Sequence, residues 1–386
     1  MAGRQMEDRL RVTPEKISRR LRGIRHTLFS RLFPLRRSVS ANPQVSYARQ
    51  APGRRELATG GRVKLIALDS AFPETQNANL LYLVSSALPS NYRYWVERAI
   101  SQKIPIVLNQ NGVATPGWAG NETDAVNAPL RWVLERAVYV LYQSEFCRKS
   151  ADLFIGRAKG ATRIAYNAVD LNLFSPAREK SNRPLTILLG GSQYQKYRVT
   201  SALEALASVR KAIPDARLLI SGKVDWQNDP KRSSTEAMEI AKKLGVSESV
   251  RFTGTFLQAD APALYREADL LLHPKYNDPC PTAVIEALAC GLGVVHSQSG
   301  GLPELVDESC GVGVPVPESY ETDHMPPAEA WADALVKAAA RLPEMRAAAR
   351  KRAEVRFGID RWLDLHGEVF RTVISAVSAK RAKTEA

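Results

Sequence analysis

Histidine and cysteine are both scarce in this chain, and each shortage closes off a class of chemistry. Four cysteines in 386 residues, Cys147, Cys280, Cys290 and Cys310, include no C-x-x-C pair. This argues against a disulfide framework or a structural zinc site and favours a reducing compartment. The five histidines are His26, His273, His296, His324 and His366, so none lies between Arg62 and Pro176. There is no D-x-D pair and no His/Cys cluster at ligand spacing, so no metal site is expected. No apolar run approaches the roughly 20 residues that a membrane span needs, so any contact with a bilayer is expected to be peripheral.

What is present is a soluble composition, 45% hydrophobic and 24% charged, in a chain long enough for two domains. The formal charge of +14 is unevenly placed. Up to Lys64 there are sixteen basic against four acidic residues, leaving 38 against 36 in the remainder. The basicity therefore belongs to an appendage, residues 1–61. Thr13-Pro14-Glu15 is a good helix start, and Ile17, Leu21, Ile24, Leu28 and Leu32 form one apolar stripe flanked by Arg20, Arg25 and Arg31. Three readings stay open: a helix packed on the protein or a frayed tail, an interfacial helix on an anionic membrane through residues 13–37, or a targeting peptide. Residues 38–61 read as a linker. With a nearly neutral body, no nucleic-acid partner is expected.

From Arg62 onward, strand and helix patterns alternate. Strands are expected at "KLIALDS", "NLLYLVSSA", "IPIVLNQNG" and "VYVLYQS", with helices between them. The polar, Pro-containing "NAVDLNLFSPAREKSNRP" breaks the rhythm. A second alternation then runs from "LTILLGG" to "GVVHSQSGG", followed by a helical tail. The fold class is α/β: two Rossmann-like domains facing a cleft, over 62–176 and 183–352, with 353–386 packing back on the first.

Ligands of such sheets bind outside the carboxyl ends of the strands, which directs attention to "HPKYNDPCPTAVIEALACG". A loop carrying Asp278 leads to Pro281-Thr282, where a helix opens with unpaired amides suited to a phosphate. Glu286, four residues past Thr282, shares its face and can accept hydrogen bonds from a ribose diol. The pattern points to a nucleoside diphosphate capped by a helix end.

"DPCPTAVIEALACGLGVVHSQSGGLPELV" closely resembles the donor-binding signature of family-4 glycosyltransferases with the GT-B fold. The likeness runs from about Leu185 to Phe370 and more loosely back to Arg62. It implies a retaining enzyme that uses a nucleotide-diphosphate sugar, with Glu286 on the donor ribose and Asp278, where the family usually has Glu, against the transferred sugar. It also implies that Lys196, in "GGSQYQKYR", grips the diphosphate. Gly191-Ser192 stands where the family has Gly-Arg, and Arg198 is the substitute at hand for the missing Arg. Phe256 falls where the family places residues near the nucleobase; a core aromatic is its other reading. On the acceptor side, Asn109, Gln110, Asn111 and Gly112 occupy the junction where family members often carry His. Gly60-Gly61 precede the expected "KLIALDS" strand instead of following one, so the first domain looks abbreviated.

The expected function is sugar transfer to a glycan or lipid-linked acceptor in cell-surface polysaccharide or glycolipid synthesis. It would need no metal and no cofactor beyond the donor, and would take place in the cytoplasm or at the inner membrane face. The alternatives are a nucleotide-sugar epimerase or hydrolase on the same fold, or a non-catalytic subunit of a polysaccharide-assembly complex.

Overall fold

The computed structural model describes residues 34–48, 61–177, 183–257 and 259–385. The amphipathic stretch 13–32 lies outside these residues. In the first domain, β1 (Arg36–Arg37) pairs with β3 (Asn77–Ala78) as a small ribbon. The main sheet contains β2 (Val45–Ser46), β4 (Leu80–Val84), β5 (Ile106–Gln110), β6 (Tyr139–Tyr142) and β7 (Ala161–Ile164), in that order and all parallel. Every residue of β4 and β5 is buried. Helices cover both faces of a parallel sheet, which is why β4 reads as an unbroken apolar run.

The start of this domain differs from the sequence expectation in two linked ways. "KLIALDS" is not a strand but part of α1 (Gly61–Ala71). Leu65, Leu68 and Phe72 are spaced by three and four and pack into one core cluster, a helical period hidden in a short apolar run. Residues 38–61 are likewise not all linker. Val45 pairs with Leu80, and Val45, Tyr47 and Ala48 are buried. A strand therefore precedes the Gly-Gly pair and a helix follows it. Gly61 is required at that helix start, because a Cβ there would lie 2.5 Å from Ser86 Oγ and 2.8 Å from Val84 Cγ1. An opening strand, Val45–Ser46, and a helix from Gly61 are therefore both present upstream of β4.

The second sheet has the order β10 (Val250–Gly254), β9 (Arg217–Ser221), β8 (Thr186–Leu189), β11 (Leu270–His273), β12 (Gly293–Ser297) and β13 (Gly311–Val314), again all parallel. The reversal between β8 and β11 puts a topological switch point at their carboxyl ends, where ligands of such sheets bind. Two connections cross between the domains side by side. Val169 N–H donates to Phe357 O at 2.9 Å, and Ile359 N–H donates to Val169 O at 3.0 Å. Beyond that crossing, the terminal helix Ile359–Glu385 returns to the first domain. Its Trp362, Val369 and Phe370 share a core with Tyr82 and Val107, and His366 Nε2 lies 3.0 Å from Tyr82 Oη.

Candidate active site

β11 ends at His273, and after an eight-residue loop the helix Thr282–Ala289 begins. Pro281 stands at its N-cap with φ −68° and ψ 120° and contributes no side-chain cap. The chain therefore enters the helix in extended geometry, leaving the first-turn amides to a ligand. Glu286 is one turn further in and only 8% exposed, and its Oε2 accepts a hydrogen bond from Tyr265 Oη at 2.7 Å. That bond holds the carboxylate in place at the start of the helix. Thr282 Oγ1 accepts from Asn167 Nδ2 at 3.3 Å, and the same amide donates to Cys280 O at 2.6 Å.

Asp278 is as buried as Glu286 but sits between an ammonium and an imidazole. Its Oδ2 is 3.1 Å from Lys275 Nζ and 3.2 Å from His273 Nε2. Burial alone would raise its pKa; Lys275 and His273 outweigh burial and hold the carboxyl well below its usual range. His273 is driven the other way by its own burial, so its ring is the neutral partner. The loop is fixed from the far side by the Gly-Gly pair after β12. Gly301 N–H donates to Asp278 O at 2.9 Å. A Cβ on Gly301 would fall 2.0 Å from Pro279 O, and one on Gly300, at φ +64°, 2.6 Å from Asp278 O.

The two predicted bases part company. Lys196 pairs with Glu236, Nζ to Oε1 at 2.5 Å, and its side chain is half exposed. Glu236 also accepts from Trp226 Nε1 at 3.0 Å, so this carboxylate sits in a side-chain network of its own. Arg198 is instead 7% exposed, with Nη1 donating to Ser192 O at 3.0 Å and a buried Nε without a partner. Burial lowers its pKa, and the nearby Asp278 carboxylate opposes that shift. Arg198 is therefore within electrostatic reach of the Asp278 carboxylate, and Ser192 orients it through its carbonyl. Gly191 takes φ +82°, and its carbonyl lies where a Cβ on Gly222 would come within 2.6 Å, so the two turns are pressed together. Phe256 is half-buried against the cluster that contains Tyr265.

On the facing domain, Asn109 and Gln110 are wholly buried and Asn111 nearly so. Their side chains serve the domain's own network: Lys64 Nζ donates to Asn109 Oδ1 at 3.0 Å and to Asn111 Oδ1 at 3.3 Å. Gly112 comes against the donor-side loop, where a Cβ would lie 2.9 Å from Pro279 Cγ. A further contact joins the domains. Glu304 accepts from Glu145 N–H and Phe146 N–H, both at 2.8 Å, and from Tyr166 Oη at 3.1 Å, so it caps the helix Glu145–Phe154 across the seam. Lys64, His273, Lys275 and Glu304 were not among the expected site residues. Lys64 was missed because its helix was read as a strand, whereas Glu304 stood in plain view in "GGLPE". Burial pushes the Cys280 thiol up to about 12, which leaves it a packing residue.

Residues 172–353 match the family model described as "Glycosyl transferases group 1". A D-inositol 3-phosphate glycosyltransferase from Saccharomonospora viridis is 30% identical over 239 residues, covering 57% of this chain and 52% of that protein. Residues 172–353 are thus similar to the group 1 glycosyl transferases. The chain spans about half the length of that curated relative. Among solved structures, sucrose-phosphate synthase from Thermosynechococcus elongatus superposes with a TM-score of 0.62 at 18% identity, covering 83% of each chain. Anabaena HepE in complex with UDP-glucose gives 0.61 at 19% identity, covering 80% of this chain and 82% of that one. WaaG, a glycosyltransferase involved in lipopolysaccharide biosynthesis, gives 0.57 at 17% identity, covering 85% and 98%. These likenesses establish the GT-B fold.

Proposed function

We propose that this protein is a glycosyltransferase, moving a sugar from a nucleotide-diphosphate donor to an acceptor hydroxyl with retention of anomeric configuration. The observation that carries the reading is the pairing, at one switch point, of Glu286 on an uncapped helix start with the buried Arg198 guanidinium. Glu286 would hold the ribose, and the amides at Thr282 together with Arg198 would hold the diphosphate. As the bond between the anomeric carbon and the diphosphate oxygen breaks, its electron pair passes to the diphosphate. Fixed donors that neutralise this developing charge lower the barrier. The acceptor hydroxyl bonds to the anomeric carbon from the same face and gives its proton to the departing phosphate oxygen. No histidine base is needed for this, and no metal or cofactor beyond the donor is invoked. Asp278, kept ionised, would lie against the transferred sugar.

The complex of HepE with UDP-glucose supports a uridine donor, and the WaaG likeness supports a cell-surface glycan or lipid-linked acceptor. Among the described residues no helix is long and apolar enough to cross a membrane. A peripheral role at an anionic membrane on the cytoplasmic side would rest on the basic N-terminal stretch. The test is release of nucleoside diphosphate from UDP-, GDP- and ADP-sugars with candidate glycan acceptors. Turnover by the wild type and its loss in Glu286→Ala are expected. Equal turnover by Glu286→Ala, or consumption of donor indifferent to any acceptor, would overturn the reading, and the second outcome would favour a hydrolase.

A further inference from the structure

Lys64 is a charge that the proposed reaction does not use. It lies in the first turn of α1 and is 9% exposed. Its ammonium donates to two neutral amide oxygens, those of Asn109 and Asn111, and no described carboxylate pairs with it. A buried ammonium without a counter-charge is expensive, and hydrogen bonds to amides offset only part of that expense. Hydrogen bonding alone would be served by a neutral side chain of the same length. Among the described residues two of its three N–H groups are engaged, leaving one for another partner.

The surroundings say where that partner would come from. Asn111 follows the carboxyl end of β5, its N–H donates to Ser85 Oγ at 2.8 Å just beyond β4, and its side-chain amide reaches Ser86. The carboxyl ends of parallel strands are where such domains bind ligands. Gln110 Oε1, in the same cluster, is buried and accepts nothing. The neighbouring Gly112 meets Pro279 of the donor-side loop, so the cluster lies at the seam between the domains, on the side facing the donor. The donor diphosphate already has Arg198 and a helix start in its own domain, which leaves Lys64 to the second substrate. Burial pulls the Lys64 pKa down to about 8, so the amine is still mostly charged at neutral pH.

We propose that Lys64 is the acceptor-binding cation of this enzyme, and that its acceptor carries an anionic oxygen group, a phosphate monoester or a carboxylate, close to the hydroxyl that is glycosylated. The inference rests on the two-substrate reading above. The test is thermal denaturation of the full chain with glucose 6-phosphate, glucuronic acid or glucose, each without nucleotide and again with UDP. Glucose 6-phosphate or glucuronic acid should raise the midpoint in a saturable way where glucose does not, and the better of the two identifies phosphate or carboxylate as the group recognised. In Lys64→Met the half-saturating concentration of that probe should rise at least 30-fold while the response to UDP is kept. Lys64→Arg, which keeps the charge, should stay within 10-fold of wild type. A response to glucose equal to that of the anionic sugars, no response to either anionic sugar, or an unchanged response in Lys64→Met would each overturn the proposal. The wild-type contrast holds even if a variant does not fold. Should Glu286→Ala respond to UDP as the wild type does while the anionic sugars behave as stated, the donor assignment fails and this one stands.

Discussion

The buried Lys64 ammonium makes a stability prediction that is independent of catalysis. Burial lowers its pKa from 10.5 to about 8. At about 1.4 kcal/mol per unit, the folded state carries roughly 3 kcal/mol of penalty for keeping the amine charged. The sign follows from where the proton sits. Between pH 8 and 10.5 the unfolded chain keeps a proton that the folded chain has released, so stability rises with pH across that window. Below it both states are charged and the whole penalty is present; above it neither state is charged and the penalty is gone. Comparison with Lys64→Met isolates this one group, because every other titration is common to both proteins. Methionine also leaves two amide oxygens without their donor, which shifts the difference by a constant, so only the pH dependence is diagnostic. Thermal midpoints taken from pH 7 to 10.5 should move in favour of the wild type by about 3 kcal/mol in all, at roughly 2–4 °C per kcal/mol for a domain of 150–250 residues. A difference between the two proteins that stays flat across that range would refute the reasoning.

Four further outcomes are expected. Arg198→Ala should weaken UDP binding by about 10- to 100-fold, the loss of a charged hydrogen-bond donor, whereas Lys196→Ala should change it less than about 3-fold because that amine is held by Glu236; calorimetric titration decides between them. Glu304→Ala removes the carboxylate that caps a helix of the opposite domain, and should lower stability by about 1–3 kcal/mol and raise the radius of gyration in solution scattering. Gly301→Ala forces a methyl group onto Pro279 O and should abolish UDP binding while circular dichroism remains that of the wild type. Deletion of residues 1–33 should release the protein from anionic vesicles in a sedimentation assay. The cut belongs before Pro34, because Leu35 is buried and Arg36 pairs with Asn77.

The donor side was legible in the sequence because its chemistry is contiguous. Thr282, Glu286 and the Gly-Gly pair lie within one strand–helix–strand unit, so spacing along the chain maps directly onto one face and one helix start. The contacts of the first domain and of the seam were not, for the opposite reason. Lys64 meets Asn109 across 45 residues, and Glu304 meets Glu145 across 159. Local periodicity carries no trace of such pairs. The misread α1 belongs to a different failure: "KLIALDS" has apolar residues compatible with both periods, and only packing against Val84 and Ser86 settles it as a helix. Lys196 and Arg198, two residues apart at a helix start, show a third limit. Side chains at that spacing point in different directions, and sequence alone does not say which one faces the cleft. The edge strands β7 and β13 passed unnoticed because "ATRI" and "GVGV" lack both length and alternation.

The central claim is that a nucleoside diphosphate binds at the helix Thr282–Ala289 with its ribose on Glu286. Calorimetric titration of UDP, with GDP and ADP as alternatives, into the wild type and Glu286→Ala tests it most directly. Stoichiometric binding of one of these nucleotides to the wild type is expected, with a loss of at least about 30-fold, or about 2 kcal/mol, in the variant. Equal affinity in the two proteins, or no binding of any nucleoside diphosphate to the wild type, would contradict it.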